Sequence, residues 1–290
     1  MKRVVRTNDG RALAVEEYGN PDGPVVLIHA GTPGSRFLYE PNVADATARG
    51  LRLIGYDRPG YGESDPRPGR DVADCAADVR AICEQLGIDR LATWGISGGG
   101  PHVLACAALL PDLVVAAASL ASLAPFDAEG LDWFDGMGEA NVEDFKLLSD
   151  EAATRAKVAA DREIALTQSA GEISDELSTL LCPRDRDLLS GGPLVEHMVW
   201  STKQGLAPGS EGWYEDGVAL GTPWGFDLAA IKVPVMVMHG REDKFCPFGH
   251  GQWLAAHIPA AEARLTDDDG HLTLAEYRVP EVHAWLAEHF

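Results

Sequence analysis

The stretch from Leu91 to Pro101 constrains the fold of this chain more than any other part of it. An apolar run ends at Gly95, Ser97 follows two residues later, and further glycines lead into a helical pattern over residues 101–110. A strand, a Gly-x-Ser-x-Gly turn and a helix in this order predict a sharp nucleophile elbow. Such a turn raises the Ser97 hydroxyl above a sheet, beside the free N–H groups at the start of a helix.

Predicted strands and helices alternate on both sides of this turn. Residues 2–6 and 11–18 alternate apolar and polar side chains around a turn, which predicts an antiparallel hairpin. Apolar runs predict further strands at residues 24–29, 51–56, 91–95, 113–120, 233–240 and 262–266. Helical spacing predicts helices at residues 36–49, 71–86, 101–110, 248–257 and 273–289. Alternation of this kind indicates an α/β fold with a parallel sheet.

The alternation stops between residues 125 and 225, where the pattern predicts several helical segments and no clear strand. This part carries 20 acidic and 7 basic residues, so it holds most of the formal net charge of −21. We predict that residues 1–124 and 226–290 form one α/β core domain. Residues 125–225, called the helical insertion below, are predicted to lie above the sheet as a lid.

Three chemically matched side chains follow the ends of predicted strands. Ser97 lies on the elbow, Asp243 follows the strand at 233–240, and His271 follows the strand at 262–266. Parallel strands present their carboxyl ends at one sheet edge, where ligands bind. His271 would take the Ser97 proton, and Asp243 would orient and stabilise the imidazole. Glu242, the neighbour of Asp243, is the alternative acid.

Two backbone N–H groups are predicted to form an oxyanion hole. One belongs to Gly98, the residue after the nucleophile, and the other to the loop after the strand at 24–29. In that loop Pro33 has no N–H to donate, which leaves the N–H of Thr32 as the second donor.

Five pieces of the chain together resemble the α/β-hydrolase superfamily, and the resemblance covers nearly the whole length. They are His29–Ser35, Asp57–Ser64, Gly95–Gly99, His239–Asp243 and Gly270–His271. The resemblance implies a mostly parallel eight-stranded sheet flanked by helices, with a helical lid inserted after the sixth strand. One departure is Ala30, where the family often has a histidine before the loop glycine.

Several side chains are candidates for lining a substrate pocket. His102 follows Ser97 by five residues, and its ring points either into the pocket or into the helix packing. The insertion adds apolar candidates, namely Trp133, Phe134, Met137, Phe145, Met198 and Trp200. The alternative for these six is that they hold the insertion on the core.

Composition excludes some classes of function. A net charge of −21 argues against binding to nucleic acid or to anionic membranes. No apolar run is long enough to span a bilayer, and the N-terminus has no apolar signal region. The five cysteines form no CxxC pair, which suits reduced thiols in a cytoplasm. No metal site is predicted and no cofactor is implied, so the expected partner is a small-molecule substrate.

The predicted function is hydrolysis of a carboxylic ester, lactone or thioester through an acyl-enzyme on Ser97. Ser97 argues against epoxide hydrolases and haloalkane dehalogenases, which place an aspartate at the elbow. A proline iminopeptidase-like aminopeptidase stays open because the insertion is acidic, although the chain lacks the HGGPG loop typical of those enzymes. A carbon–carbon bond hydrolase with the same triad also stays open. The alternative from another class is a ligand-binding receptor on a hydrolase scaffold.

Overall fold

The computed structural model describes residues 1–259 and 261–290, and only the backbone of residues 175 and 176. Its strands are β1 (Lys2–Arg6), β2 (Ala12–Gly19), β3 (Val25–His29), β4 (Arg52–Tyr56), β5 (Leu91–Ile96), β6 (Val114–Leu120), β7 (Val235–Gly240) and β8 (Glu262–Thr266). They form one sheet in the order β1-β2-β4-β3-β5-β6-β7-β8. β2 is antiparallel to both of its neighbours, and the other pairs are parallel. The predicted mostly parallel eight-stranded sheet is confirmed.

Helices cover both faces of this sheet. The core helices are α1 (Glu40–Ala48), α2 (Cys75–Leu86), α3 (Gly99–Leu109), α10 (Phe248–His257), α11 (His271–Tyr277) and α12 (Val279–Ala287), with a short 3₁₀ helix at Leu228–Ala230. Strand β3 shows why two layers are needed, since all five of its residues are buried. Val25 and Leu27 pack into one apolar cluster, and Val26 and Ile28 pack into another on the opposite face.

The last helical segment differs from the prediction of one helix over residues 273–289. The structure has two helices, which meet at Arg278. Pro280 lies in the first turn of α12, where its missing N–H costs nothing. In the interior of a single long helix the same proline would remove a hydrogen bond. The first helix also begins earlier than predicted, so that His271 is its first residue rather than part of a loop.

The connection between β6 and β7 is helical in the part of the chain that the structure describes. It contains α4 (Glu139–Leu147), α5 (Glu151–Thr167), α6 (Ile173–Glu176), α7 (Pro183–Leu188), α8 (Pro193–Leu206) and α9 (Glu211–Leu220). This region corresponds to the helical insertion. Its action as a lid, and the predicted domain boundaries, stay predictions.

A search of the described helices for membrane spans is negative: each is too short or too polar to cross a bilayer.

Candidate active site

Ser97 lies at the sharp turn between β5 and α3. Its φ of 56° falls in the left-handed region, which non-glycine residues rarely adopt. The two flanking glycines make this turn possible because other chain segments come very close to them. A Cβ on Gly95 would overlap the carbonyl of Gly99, and a Cβ on Gly99 would overlap the carbonyl of His29. The elbow predicted from the sequence is therefore present, with Ser97 strained at its tip.

Asp243 and His271 are in direct contact. The Nδ1–H of His271 donates to Oδ2 of Asp243 over 2.8 Å. The other carboxylate oxygen, Oδ1, accepts the N–H groups of Phe245 at 2.8 Å and Cys246 at 2.9 Å, which fixes the orientation of the Asp243 side chain. Glu242, the alternative acid, is exposed and Asp243 is buried. The structure thus places Asp243 rather than Glu242 against the imidazole.

The environment of His271 favours the charged imidazolium. Burial alone would lower the pKa of His271, but the charge of Asp243 and the hydrogen bond to it outweigh burial, with a smaller contribution from Asp185. The net result is a pKa above the ordinary value of 6.5. Because Nδ1 carries the proton that Asp243 accepts, Nε2 of neutral His271 keeps a lone pair and can act as a base.

The loop that begins at Asp243 connects this pair to Ser97. The ring of Phe245 stacks on the His271 ring with 4.4 Å between centroids, and Phe245 lines the same cavity as Ser97. Cys246, the next residue of this loop, lines the cavity as well. Among the described residues, no hydrogen bond joins Ser97 to His271. The three side chains therefore lie in one region of the protein.

The two predicted oxyanion donors also line this cavity. Gly98 and Thr32 lie so close that a Cβ on Gly98 would overlap the Thr32 side chain. Within residues 1–259 and 261–290, neither of their backbone N–H groups donates a hydrogen bond. Both donors are therefore available for an oxygen bound beside Ser97.

A buried ionic cluster lies directly behind the oxyanion loop, and no local sequence pattern predicts it. Its centre is Asp216 of α9, fully buried, which accepts hydrogen bonds from Arg58, from Arg70 at 2.5 Å, from the Tyr61 hydroxyl at 3.0 Å and from the Thr32 hydroxyl at 2.8 Å. Burial raises the pKa of Asp216, but the two arginines outweigh this and hold it well below its ordinary value.

Arg58 extends this cluster to the backbone of the oxyanion loop. It donates to the carbonyls of Ala30 at 2.5 Å and Gly31 at 3.0 Å, and to the Thr32 hydroxyl at 2.9 Å. The helical insertion is thereby linked through Asp216 and Arg58 to the loop that carries one oxyanion donor. Arg58 lies within the Asp57–Ser64 motif, but no local pattern in the sequence connects it with Asp216.

The cavity above Ser97 measures about 120 Å³ and opens between the sheet edge and the helical insertion. Its walls are mostly apolar and come largely from α4, α5 and α9. Lining side chains of the insertion include Asn141, Asp144, Phe145, Leu148, Thr154, Lys157, Val158, Asp161, Trp213, Tyr214 and Leu220. Phe145 was among the sequence candidates, and the structure places it at the cavity.

The other six candidates do not line this cavity, and for them the structure favours the alternative of packing; they are His102, Trp133, Phe134, Met137, Met198 and Trp200. His102 lies inside the helix packing, where its Nδ1–H donates to the carbonyl of Gly98 over 2.8 Å. Burial and the nearby Arg58 charge lower the pKa of His102 to about 3, which removes it as a base near neutral pH.

The five insertion residues in this group pack against other parts of the protein, and Met137 is buried in the larger apolar cluster of the core. Trp133 is buried and its indole N–H donates to the carbonyl of Ala124, while Phe134 packs edge-on against Trp133. Met198 packs into an apolar cluster between α8 and the core. Trp200 is 46% exposed and lies against Phe37. The sequence shows that these side chains are apolar, but the direction in which each one faces depends on tertiary packing.

No group of three or more His, Cys, Asp or Glu side chains suited to a metal ion occurs in the described residues. The other two histidines at strand ends are buried: His29 lies beside Tyr56, and the Nε2–H of His239 donates to the carbonyl of Cys246 over 2.7 Å.

Comparison with known proteins gives consistent matches along nearly the whole chain. A family model described as alpha/beta hydrolase fold matches residues 23–276. The bifunctional esterase/perhydrolase DCH of Acinetobacter calcoaceticus is 26% identical over 249 residues, which cover 84% of this chain and 83% of that protein. A 2-hydroxy-6-oxononadienedioate/2-hydroxy-6-oxononatrienedioate hydrolase of Cupriavidus pinatubonensis is 26% identical over 284 residues, or 93% of this chain and 88% of that one. An esterase from Exiguobacterium antarcticum has the same fold, with a TM-score of 0.72 at 23% identity over 99% of this chain and 100% of its own.

Proposed function

Because the chain belongs to the alpha/beta hydrolase fold family, we propose that it is a serine hydrolase that cleaves carboxylic esters, lactones or thioesters through an acyl-enzyme on Ser97. Its family and its esterase and hydrolase relatives make the chain a hydrolase. The finer proposal rests on one observation above all. His271 is bonded to Asp243 through Nδ1, which leaves Nε2 as a base in the region of the strained Ser97.

In the proposed reaction, Nε2 of His271 removes the hydroxyl proton as Ser97 Oγ attacks the ester carbonyl. The negative charge that develops on the carbonyl oxygen is stabilised by the N–H groups of Thr32 and Gly98. His271 then protonates the leaving alcohol or thiol, and a water molecule hydrolyses the acyl-enzyme by the same route. This step requires a hydrogen bond from the Ser97 hydroxyl to Nε2 of His271, and catalytic hydrogen bonds of this kind commonly tighten only when substrate is bound.

The charges in the cavity weigh against an aminopeptidase. Asp144 and Asp161 both line it, but Lys157 lies between them, at 2.8 Å from Asp144 and 2.6 Å from Asp161. A substrate amino group would have to compete with this resident ammonium group. The carbon–carbon hydrolase stays the second candidate because one relative of such a kind aligns over 93% of the chain.

The experiment that tests the proposed nucleophile needs no knowledge of the natural substrate. Wild type and Ser97→Ala are incubated with a fluorophosphonate, and their intact masses are measured. We expect one adduct on the wild type and none on the variant, followed by turnover of p-nitrophenyl esters by the wild type. An unmodified wild type would contradict an activated Ser97 and would direct attention to the receptor alternative.

The pH dependence follows from the raised pKa of His271. The base works only when neutral, so kcat/KM is expected to fall as the pH decreases through that pKa. Because the pKa lies above 6.5, the half-maximal point of the acid limb should also lie above pH 6.5. Initial rates on a p-nitrophenyl ester between pH 5 and 9 measure this limb. A flat profile over that range would remove His271 as the base.

We also propose that the helical insertion acts as the lid that determines substrate preference, since three of its helices line the cavity. Trp213→Ala enlarges this wall and should shift the ratio of kcat/KM between a short and a long acyl ester by about tenfold. Trp200→Ala is the matched control, because Trp200 lies outside the cavity. Equal ratios of kcat/KM in wild type and Trp213→Ala would contradict the proposal that this wall of the cavity contacts the acyl chain of the substrate.

A further inference from the structure

We propose that Asp185, a residue of the helical insertion, is a positioning residue for the catalytic base: its side chain holds the backbone at the start of α11 and so places the His271 ring against Asp243. The inference rests on the proposed function in one respect, that His271 is the base. The helical insertion would then position the catalytic base in addition to lining the cavity.

The contacts of Asp185 are unusually complete for one side chain. Its Oδ2 accepts the N–H of His271 over 2.9 Å, and its Oδ1 accepts the N–H groups of Leu272 at 3.0 Å and Thr273 at 2.9 Å. Asp185 is fully buried and the three donors are buried as well. The first backbone N–H groups of a helix have no partner within that helix, so a buried α11 start requires an acceptor from elsewhere. Asp185 supplies it across 86 to 88 positions of sequence.

The start of α7 packs very closely against Gly270, the residue before α11. A side chain on Gly270 would overlap both the Asp185 carboxylate and the sulfur of Cys182. Next to this contact, Arg184 pairs with Asp268 over 2.6 Å. The segment Leu181–Leu189 also contributes apolar side chains to a cluster that includes Leu272. The carboxylate is therefore held in place by packing on both sides rather than by its three hydrogen bonds alone.

The charge of Asp185 acts on the imidazole as well as on the backbone. The titratable groups around His271 come from three parts of the chain. His239 and Asp243 belong to β7 and the loop after it, and Cys182 and Asp185 belong to the first turn of α7. Asp269 lies in the loop before α11.

The groups other than Asp243 and Asp185 contribute little negative charge. Asp269 is paired with Arg278 over 2.8 Å. Burial lowers the pKa of His239 and raises that of Cys182, which keeps both groups neutral. Removing the charge of Asp185 should therefore lower the pKa of His271, in addition to loosening its backbone.

The test compares Asp185→Asn with Asp187→Asn. Both variants lose one carboxylate from α7, but Asp187 is exposed. In Asp185→Asn the amide NH₂ faces at least one backbone N–H in place of an acceptor. We expect kcat on a p-nitrophenyl ester to fall by about 10- to 100-fold with KM little changed, because the base is displaced while the cavity stays intact. Asp187→Asn should behave as wild type.

A second readout does not depend on turnover. The His271 ring is titrated by NMR in protein labelled with ¹³C-histidine, with His271→Gln to assign the signal. The pKa of His271 should decrease in Asp185→Asn and stay at the wild-type value in Asp187→Asn. An unchanged pKa together with an unchanged kcat in folded Asp185→Asn would overturn the proposal. A merely structural role predicts lower thermal stability without the shift of the pKa.

Two further comparisons keep the result interpretable. If Asp185→Asn does not fold, Gly270→Ala is tested in its place. The added methyl group would overlap the Asp185 carboxylate and displace it from the three N–H groups. A wild-type kcat in that variant would overturn the proposal. If the wild type neither reacts with fluorophosphonate nor hydrolyses esters, the proposed function fails. The NMR titration still decides whether Asp185 controls the pKa of His271.

Discussion

Replacing Ser97 with alanine is expected to lower kcat on a p-nitrophenyl ester by about 10⁴- to 10⁶-fold. The variant has no nucleophile, so the acyl-enzyme cannot form, and His271 has no hydroxyl proton to remove. KM should change little, because the cavity and both oxyanion donors stay in place. Steady-state rates of both proteins at the pH optimum, with a burst-phase measurement on the wild type, check this result.

Ser119→Ala is the matched control for this experiment. Ser119 pairs with Gly95 across β5 and β6, close to the elbow, and its buried hydroxyl has no hydrogen-bond partner in the described residues. Its removal should leave kcat and KM at wild-type values. Residual activity of Ser97→Ala within tenfold of the wild type would show that another group performs the chemistry. Equal losses in both variants would point to damage at the elbow rather than to a lost nucleophile.

The sheet and the elbow could be predicted because their signals are local. A strand buried on both faces, such as β3, appears in the sequence as an uninterrupted apolar run, and α2 appears as apolar residues at helical spacing that end at Gly87. Ser97, Asp243 and His271 could be predicted as one site because each follows a strand of the parallel part of the sheet, and the carboxyl ends of these strands lie at the same edge. Pro280 is also a local signal for the division of the last helical segment, although the apolar spacing alone predicts a single helix over residues 273–289.

The residues that join the insertion to the site could not be predicted in the same way. Asp185 binds N–H groups 86 to 88 positions away, and Asp216 binds a threonine 184 positions away. Neither carboxylate differs locally from the many exposed acids of the insertion, so the sequence pattern does not distinguish these two buried side chains from the solvated ones. The residues that line the cavity could not be predicted for a related reason. Trp133 lies in a turn and Trp213 lies on α9, and the direction in which each ring faces depends on how these segments pack against the core.

Asp216→Ala is expected to lower the free energy of unfolding by about 3–5 kcal/mol. The variant leaves the guanidinium groups of Arg58 and Arg70 buried, each only 3% exposed, without their shared carboxylate. Urea unfolding of wild type and variant measures the loss. Glu211→Ala on the same helix is the control: its ion pair with Arg155 is about 40% exposed on both sides, and we expect a change within about 1 kcal/mol.

A double-mutant cycle with Arg70→Met separates the buried charge from simple loss of packing. If two unpaired charges cause the destabilisation, Asp216→Ala combined with Arg70→Met should cost less than the sum of the single changes. Additivity within about 0.5 kcal/mol would contradict coupling in this cluster. Activity gives an independent reading at temperatures where Asp216→Ala is folded. Because Arg58 and Asp216 hold the loop of Thr32, kcat should fall even there, and a folded variant with wild-type kcat would mean that the oxyanion loop keeps its shape without the insertion.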